Sequence, residues 1–272
     1  MEKTVMNEIS VTPLAGSLGA QVNGIDLRNP IDDATMSQLK AWFLEYCVLV
    51  YPKQDITPEQ QAAFAARWGE LHYMPTVEAR LEGHPAVIEI DYYGDIVPTT
   101  DVWHSDMTME ERPPMASLLL AKLLPPAGGD TIFANQYLAY DRLSAGLKAV
   151  LDGLKAVHDG ELFGPLVDMD PADLPSNVHP VVRTHPETGR KSLYVNATFT
   201  RHFENMTVEE SAPLLNWLYA HCSQPNFTFR HRWSEGDLLM WDNRCTQHFA
   251  IADYGTARRT MNRATVLGER PY

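Results

Sequence analysis

In three places where apolar residues recur at helical spacing in this chain, a capping residue stands in front of them. Asp32 and Asp33 precede Met36, Leu39, Trp42 and Phe43, which fall on one helical face. Thr57-Pro58-Glu59-Gln60 forms a capping box with proline at the first helical position, and Gly69 follows as a stop. Thr207-Val208-Glu209-Glu210 forms a second box ahead of Leu214, Leu215, Leu218 and Tyr219, and a weaker helical stretch runs from about Gln136 to Leu154, broken near Ser144. Elsewhere, short apolar runs bounded by turn residues predict strands over 47–51, 86–90, 117–124, 131–134, 181–183, 192–195, 227–233, 237–241, 249–251 and 263–267. Pro186-Glu187-Thr188-Gly189 fits a hairpin turn between two of them.

Helices therefore gather in the first third and at two insertions, and the second half is largely β. Many strands without regular βαβ alternation predict an antiparallel sandwich or barrel decorated with helices. No internal repeat and no Gly/Ser- or Pro-rich linker divides the chain, so one domain over residues 1–272 is expected. Neither G-x-G-x-x-G nor a P-loop pattern is present, which removes the usual markers of dinucleotide and nucleotide chemistry.

Composition narrows the class further. Apolar residues make up 44% and charged residues 21%, values of an ordinary globular protein that exclude a disordered, collagenous or coiled-coil chain. The longest apolar stretch, Ala116-Ser117-Leu118-Leu119-Leu120-Ala121, falls far short of the ~20 residues of a membrane span. Residues 1–8 lack the apolar core of a signal peptide, and three cysteines (Cys47, Cys222, Cys245) make no disulfide framework. A cytoplasmic protein, assembled as a homo-oligomer (dimer or tetramer), is expected. The net charge of −13 argues against nucleic acid as a partner. It also means that an anionic ligand would need a few local arginines working against the overall field.

The segment Trp103-His104-Ser105-Asp106 carries the first candidate chemistry. On a strand, residues i and i+2 share a face, so an imidazole and a carboxylate could reach one ion. The same spacing recurs in His185-Pro186-Glu187 and His202-Phe203-Glu204. The first enters the predicted turn and the second lies in polar loop before a helix cap, so both are discounted. Downstream, Thr246-Gln247-His248 supplies a third donor. Two histidines and one carboxylate occupy one face of an octahedron and leave three positions open, as in non-heme Fe(II) oxygenases; catalytic zinc accepts the same ligands. The H-E-x-x-H pattern of zinc hydrolases is absent. Arg259 follows His248 by eleven residues, enough for a strand, a turn at Asp253-Tyr254-Gly255 and a return. Arg263, four further on, would share its face, so two guanidiniums could hold carboxylates beside the ion.

These segments resemble the taurine-dioxygenase family of Fe(II)/2-oxoglutarate-dependent oxygenases, which includes alkylsulfatases and aryloxyalkanoate dioxygenases. The likeness runs through Gly16–Asp26, Trp103–Asp106, Gly128–Thr131, His179–Gly189, Trp241–Arg244, Thr246–His248 and Arg259–Leu267. It implies a double-stranded β-helix (jelly roll) with flanking helices, His104, Asp106 and His248 as catalytic iron ligands, and Thr131 with Arg259 on the distal carboxylate of 2-oxoglutarate. O2 would be the second cosubstrate. Trp241 is read as core.

The substrate positions depart from the taurine-specific pattern. There the resemblance places Met74, Val77 and Thr100 where polar anchors would stand, and only Arg263 remains, with Phe199 as an aromatic wall. Met and Val side chains donate no hydrogen bond. Taurine is therefore not expected as the substrate. A small organic anion is: a sulfonate, sulfate ester, aryloxyalkanoate or other carboxylate, held by Arg263 in an apolar surround that could include Tyr92, Tyr93, Met107 and Met109. If Arg263 were instead structural, it would pair with an acidic side chain such as Asp242 or Glu269. The alternatives are a biosynthetic hydroxylase or desaturase using the same site, or a metal-binding jelly-roll sensor without turnover. A halogenase is excluded because Asp106 is present.

Overall fold

The computed structural model describes residues 9–73, 80–81, 83–94 and 100–272. Within them the chain is mostly β with flanking helices, arranged as a jelly roll. The major sheet has eight strands, in the order Ser10–Pro13, Ala20–Asn23, Val48–Tyr51, Leu238–Asp242, Pro114–Leu123, Arg259–Leu267, His84–Tyr92 and Arg80–Leu81. All neighbours pair antiparallel except Ala20–Asn23 with Val48–Tyr51. The minor sheet is Thr228–His231, Thr131–Asn135 and Thr246–Ala250.

Period-two alternation sorts the central strands between two cores. Leu118, Leu120, Leu238, Met240, Ala264 and Val266 face one way, against Met36, Leu39 and Phe43 of helix Asp33–Tyr46 and Phe64 of helix Pro58–Ala66. Leu119, Leu239, Trp241 and Met261 face the other way, against Phe133 and Phe229 of the minor sheet. Strand Pro114–Leu123 is thus buried on both faces for most of its length, which is why it reads as an unbroken apolar run.

The caps behave as their chemistry demands. Asp32, Thr57, Ser144 and Thr207 each accept a backbone N–H at a helix start, and both capping boxes close. The 136–154 stretch is two short helices, Gln136–Asp141 and Ala145–Leu151, with the break where Ser144 caps the second. Helix Pro58–Ala66 stops at Arg67, short of Gly69. Pattern reading misses strands Ser10–Pro13, Ala20–Asn23, Lys155–His158 and Asn177–Pro180, which are four residues long and too short to show a period. It also misplaces His202, which sits on strand Thr200–Phe203, paired with Lys155–His158, and not in loop. His185 does enter the turn between strands Val182–Thr184 and Lys191–Leu193.

The small sheet of Thr200–Phe203, Lys155–His158 and Asn177–Pro180 matters for the site, because it grips the segment that follows Asp106. His158 Nδ1 and Asn196 Nδ2 bond the Thr108 hydroxyl at 2.9 and 3.0 Å. Asn177 donates to the Met109 carbonyl at 2.8 Å, and His179 Nε2 donates to the Glu110 carbonyl at 2.9 Å.

Burial holds His158 well below its usual range, with His179 adding to it, and burial lowers His179 to about 4. Unfolded imidazoles titrate near 6.5, so below that pH the unfolded chain binds more protons than the folded one and stability falls as pH drops. The melting temperature should therefore decline between pH 7 and 5, by roughly 1–2 kcal/mol of stability per histidine. A His158→Gln, His179→Gln double variant should show a flatter acid limb in a thermal melt. An unchanged limb would exonerate both.

Candidate active site

His248 lies in strand Thr246–Ala250, and His104 pairs with it in a single antiparallel bridge, N–H to carbonyl at 3.1 and 2.8 Å in both directions. That bridge sets the two rings 4.1 Å apart, centre to centre. Asp106 is not on a regular strand, contrary to the i, i+2 strand argument. Met107, directly after it, has φ +46°, so the chain turns sharply there. The turn still aims the carboxylate inward: Asp106 Oδ1 is 3.9 Å from His104 Nε2 and 3.8 Å from His248 Nε2.

All three side chains are buried, and one donor atom from each lies within 4.8 Å of the others. His104 Nδ1 donates to the Val102 carbonyl at 2.8 Å, which leaves the Nε2 lone pair facing the cluster. Burial lowers both imidazole pKa values, which keeps the rings neutral. Burial opposes the charge on Asp106, but Arg263, His248, His104 and the Ser117 hydroxyl outweigh it and hold the carboxyl well below the usual range. Two neutral imidazoles and one carboxylate are the protonation states a divalent ion requires.

A second cluster, His185, Asp242 and Cys245, offers no such opening. Arg244 takes both Asp242 oxygens, at 2.8 and 2.7 Å, and His185 Nε2 donates to Oδ2 at 3.1 Å while its Nδ1 accepts two backbone N–H groups. His202 stands apart from both clusters and bonds the Phe203 carbonyl.

From His104 and His248 a narrow cleft runs between the sheets to Arg259, Thr131 and Tyr254, walled by Leu119, Trp241 and Ile90. Arg259 is 5% exposed, and no carboxylate of the described residues pairs with it; its Nε has no acceptor, and burial lowers its pKa. Its guanidinium lies 5.8 Å from the Trp233 ring, and Trp233 Nε1 donates to Thr131 Oγ1 at 3.0 Å. Because the indole N–H can only donate, the Thr131 hydroxyl keeps its own proton for an incoming acceptor. A buried cation beside such a hydroxyl fits one end of a dicarboxylate. Gly128 and Gly129 adopt φ +81° and +73°, and a Cβ at Gly129 would lie 3.3 Å from Arg259. These glycines therefore let the turn close over that end.

Arg263 also lines the cleft, as four-residue spacing on strand Arg259–Leu267 requires. The return from His248 is no hairpin, however: the two arginines belong to the major sheet and His248 to the minor one. Nor is the partner of Arg263 either expected acid. Its Nη2 is 2.7 Å from Asp106 Oδ2, Asp242 being taken by Arg244 and Glu269 by Arg183. Truncating Arg263 would therefore disturb the metal ligand as well as any bound anion.

Thr100 borders the cleft, its carbonyl accepting Ala250 N–H at 3.1 Å. Tyr92 lines it, whereas Tyr93 is half exposed with Arg258 beside its ring. Phe199, Met107 and Met109 are buried in a cluster that Ile90 joins to the cleft. Met74 and Val77 lie outside the described residues. Trp241 is core and cleft wall at once, its ring 4.8 Å from that of His248. Pattern reading overlooks Trp233, Asn243 and Ser117. The last two had a signal, since a polar residue inside a fully buried strand or beside it must find a partner.

Titration with Co(II) should show one site per chain, lost in His104→Ala and in His248→Ala and retained in His185→Ala and His202→Ala. Retention in the first pair would place the metal elsewhere.

Comparison with known proteins agrees with this geometry. The chain is 35% identical over 278 residues to an alpha-ketoglutarate-dependent sulfate ester dioxygenase of Pseudomonas putida, covering 97% of this chain and 91% of that protein. It is 33% identical over 288 residues to an alpha-ketoglutarate-dependent 2,4-dichlorophenoxyacetate dioxygenase of Cupriavidus pinatubonensis, covering 96% and 98%. The crystal structure of a putative alpha-ketoglutarate-dependent taurine dioxygenase from Burkholderia xenovorans superimposes with a TM-score of 0.87 at 36% identity, over 97% of this chain and 94% of that one. The family model described as taurine catabolism dioxygenase TauD, TfdA family matches residues 10–265, and the chain belongs to that family.

Proposed function

We propose that the protein is an Fe(II)- and 2-oxoglutarate-dependent dioxygenase that hydroxylates a small organic anion: a sulfonate, sulfate ester, aryloxyalkanoate or other carboxylate. Where the hydroxylated carbon carries a heteroatom, the product is unstable and the bond to that heteroatom breaks. One observation carries the reading. A cleft lined at one end by His104 and His248, with the Asp106 carboxylate set against both imidazoles, is lined at the other by a guanidinium that no carboxylate of the described residues pairs with.

Bound there, Fe(II), 2-oxoglutarate and O2 supply an oxidation that puts one oxygen atom into the substrate and one into succinate. The chain's own part is to hold and to orient. His104 Nε2, His248 Nε2 and Asp106 Oδ1 would hold the ion, a donor set short enough to leave room for cosubstrates. Arg259 and Thr131 take the distal carboxylate of 2-oxoglutarate, which fixes how far the molecule reaches toward the ion. Arg263 uses Nε and Nη2 on Thr265, Ser117 and Asp106, and its Nη1 is the part left for the anionic head of the substrate. The family resemblance assigns Phe199, Thr100, Met74 and Val77 to substrate positions, and the Met74 and Val77 side chains lack the donors a taurine sulfonate would need. A single cytoplasmic domain over 1–272, working as a homo-oligomer on small molecules rather than nucleic acid or membrane, belongs to the same reading. Among the described residues no helix is long and apolar enough to cross a membrane.

Removing one partner of a buried charge pair costs about 2–5 kcal/mol. Arg259→Ala should therefore raise the apparent 2-oxoglutarate constant at least tenfold, measured as succinate release, and an unchanged constant would remove it from the cosubstrate site. In the wild type, screening small anions should find coupled succinate release with a sulfate ester, sulfonate or aryloxyalkanoate and little or none with taurine. Efficient sulfite release from taurine would overturn the substrate reading.

A further inference from the structure

Asp106 has two oxygens, and the structure treats them differently. Oδ1 faces His104 and His248, while Oδ2 is taken from behind by Ser117 Oγ and Arg263 Nη2, each at 2.7 Å. We propose that Ser117, oriented by Asn243 and Trp241, is a positioning residue that dictates which Asp106 oxygen meets the metal. The proposal rests on the metal site argued above.

The direction of every bond in this chain is forced. Trp241 Nε1 can only donate, and it lies 3.0 Å from the Asn243 side chain. The backbone N–H of Asp106 also points at that atom, at 3.3 Å, so the atom is the amide oxygen, Oδ1. The amide nitrogen Nδ2 is then turned to Ser117 Oγ, at 3.3 Å, and Arg263 Nη2 donates to the same oxygen at 2.9 Å. With both lone pairs of the hydroxyl taken by donors, its single proton has one destination, Asp106 Oδ2. All four groups are buried: Ser117 is 0%, Asn243 1%, Trp241 2% and Asp106 4% exposed, so water does not compete.

Backbone register keeps the chain in place. Trp241 pairs with Ser117 across the two central strands, and Asn243 N–H bonds the Met115 carbonyl at 2.9 Å. With Oδ2 occupied, Asp106 offers the ion one oxygen. Binding through both would use one of the positions the two cosubstrates need. Partners that fix a metal-binding carboxylate in this way are typically worth roughly 10–100-fold in metal affinity.

Co(II) binding tests this without turnover, because its visible bands report coordination number. Ser117→Ala should weaken Co(II) binding about tenfold or more and change band intensity, and Ser117→Thr, which keeps the hydroxyl, should restore both. Trp241→Phe removes the indole N–H that orients the amide, together with part of the ring packed beside His248, and should give at least part of the same loss. Wild-type affinity and spectrum in Ser117→Ala, or in Trp241→Phe if Ser117→Ala does not fold, would overturn the proposal. His104→Ala is the separate control. If it still binds Co(II), the metal site itself is wrong; if it does not while Ser117→Ala is normal, only the positioning role falls.

Discussion

A carboxylate that is 4% exposed has to be held by something, and in this protein the holding of Asp106 organises everything around it. A lone buried anion would take up a proton to escape the desolvation cost. Asp106 stays ionised because Arg263 and Ser117 are set against it, and these come from two neighbouring strands of the major sheet. Removing one partner from a buried pair of this kind costs about 3–5 kcal/mol. The sheet core and the donor set are therefore one construction, and a change in the register of strands Pro114–Leu123 and Arg259–Leu267 would reach the ion.

The two cleft arginines are chemically unequal although they share a strand face. Arg263 is largely neutralised by Asp106, whereas Arg259 stands among Trp233, Thr131 and Tyr254 with no counterion among the described residues. In a chain of net charge −13, a long-range field repels the anions the cleft is built for. Selection must then operate at short range, through bonds that form only once a ligand has entered and lost its water. The pairing of Arg259 with a hydroxyl already oriented by Trp233 suits that demand, since little has to be reordered when the ligand arrives.

Much of this was legible in the residues, and the gaps have physical causes. Helix caps act locally, so Asp32, Thr57 and Thr207 mark their helices in the sequence, whereas Ser144 shows there only as a break. The donor set was legible because few residue types can bind a metal and because Arg259 and Arg263 repeat at a strand-compatible spacing. What the pattern could not supply was which sheet each strand joins. Hence in sequence His248 and Arg259 resemble the arms of one hairpin, and nothing there singles out Asp106 over Asp242 or Glu269 as the acid beside Arg263. Asp106 turned out to sit at a bend because Met107 takes a left-handed backbone, a choice that only the surrounding contacts impose on a methionine. Ser117 and Asn243 have no chemistry of their own; their meaning lies in what the sheet places beside them.

The strand order has a consequence for how the molecule is made. Leu238–Asp242 fills the slot between Val48–Tyr51 and Pro114–Leu123, and Arg259–Leu267 fills the one between Pro114–Leu123 and His84–Tyr92. During synthesis the earlier strands leave the ribosome long before the strands that will separate them. Until then the doubly buried Pro114–Leu123 has apolar faces and unpaired backbone groups but no native neighbour, and Val48–Tyr51 has only Ala20–Asn23 on one edge. At roughly 5–20 residues per second, that interval lasts from several seconds to about half a minute, during which edge-to-edge association is the main hazard. Contacts this distant in sequence also make for slow closure once the last strand arrives. The nascent chain has to keep that gap open, and the sheet closes only when its final strands slide in.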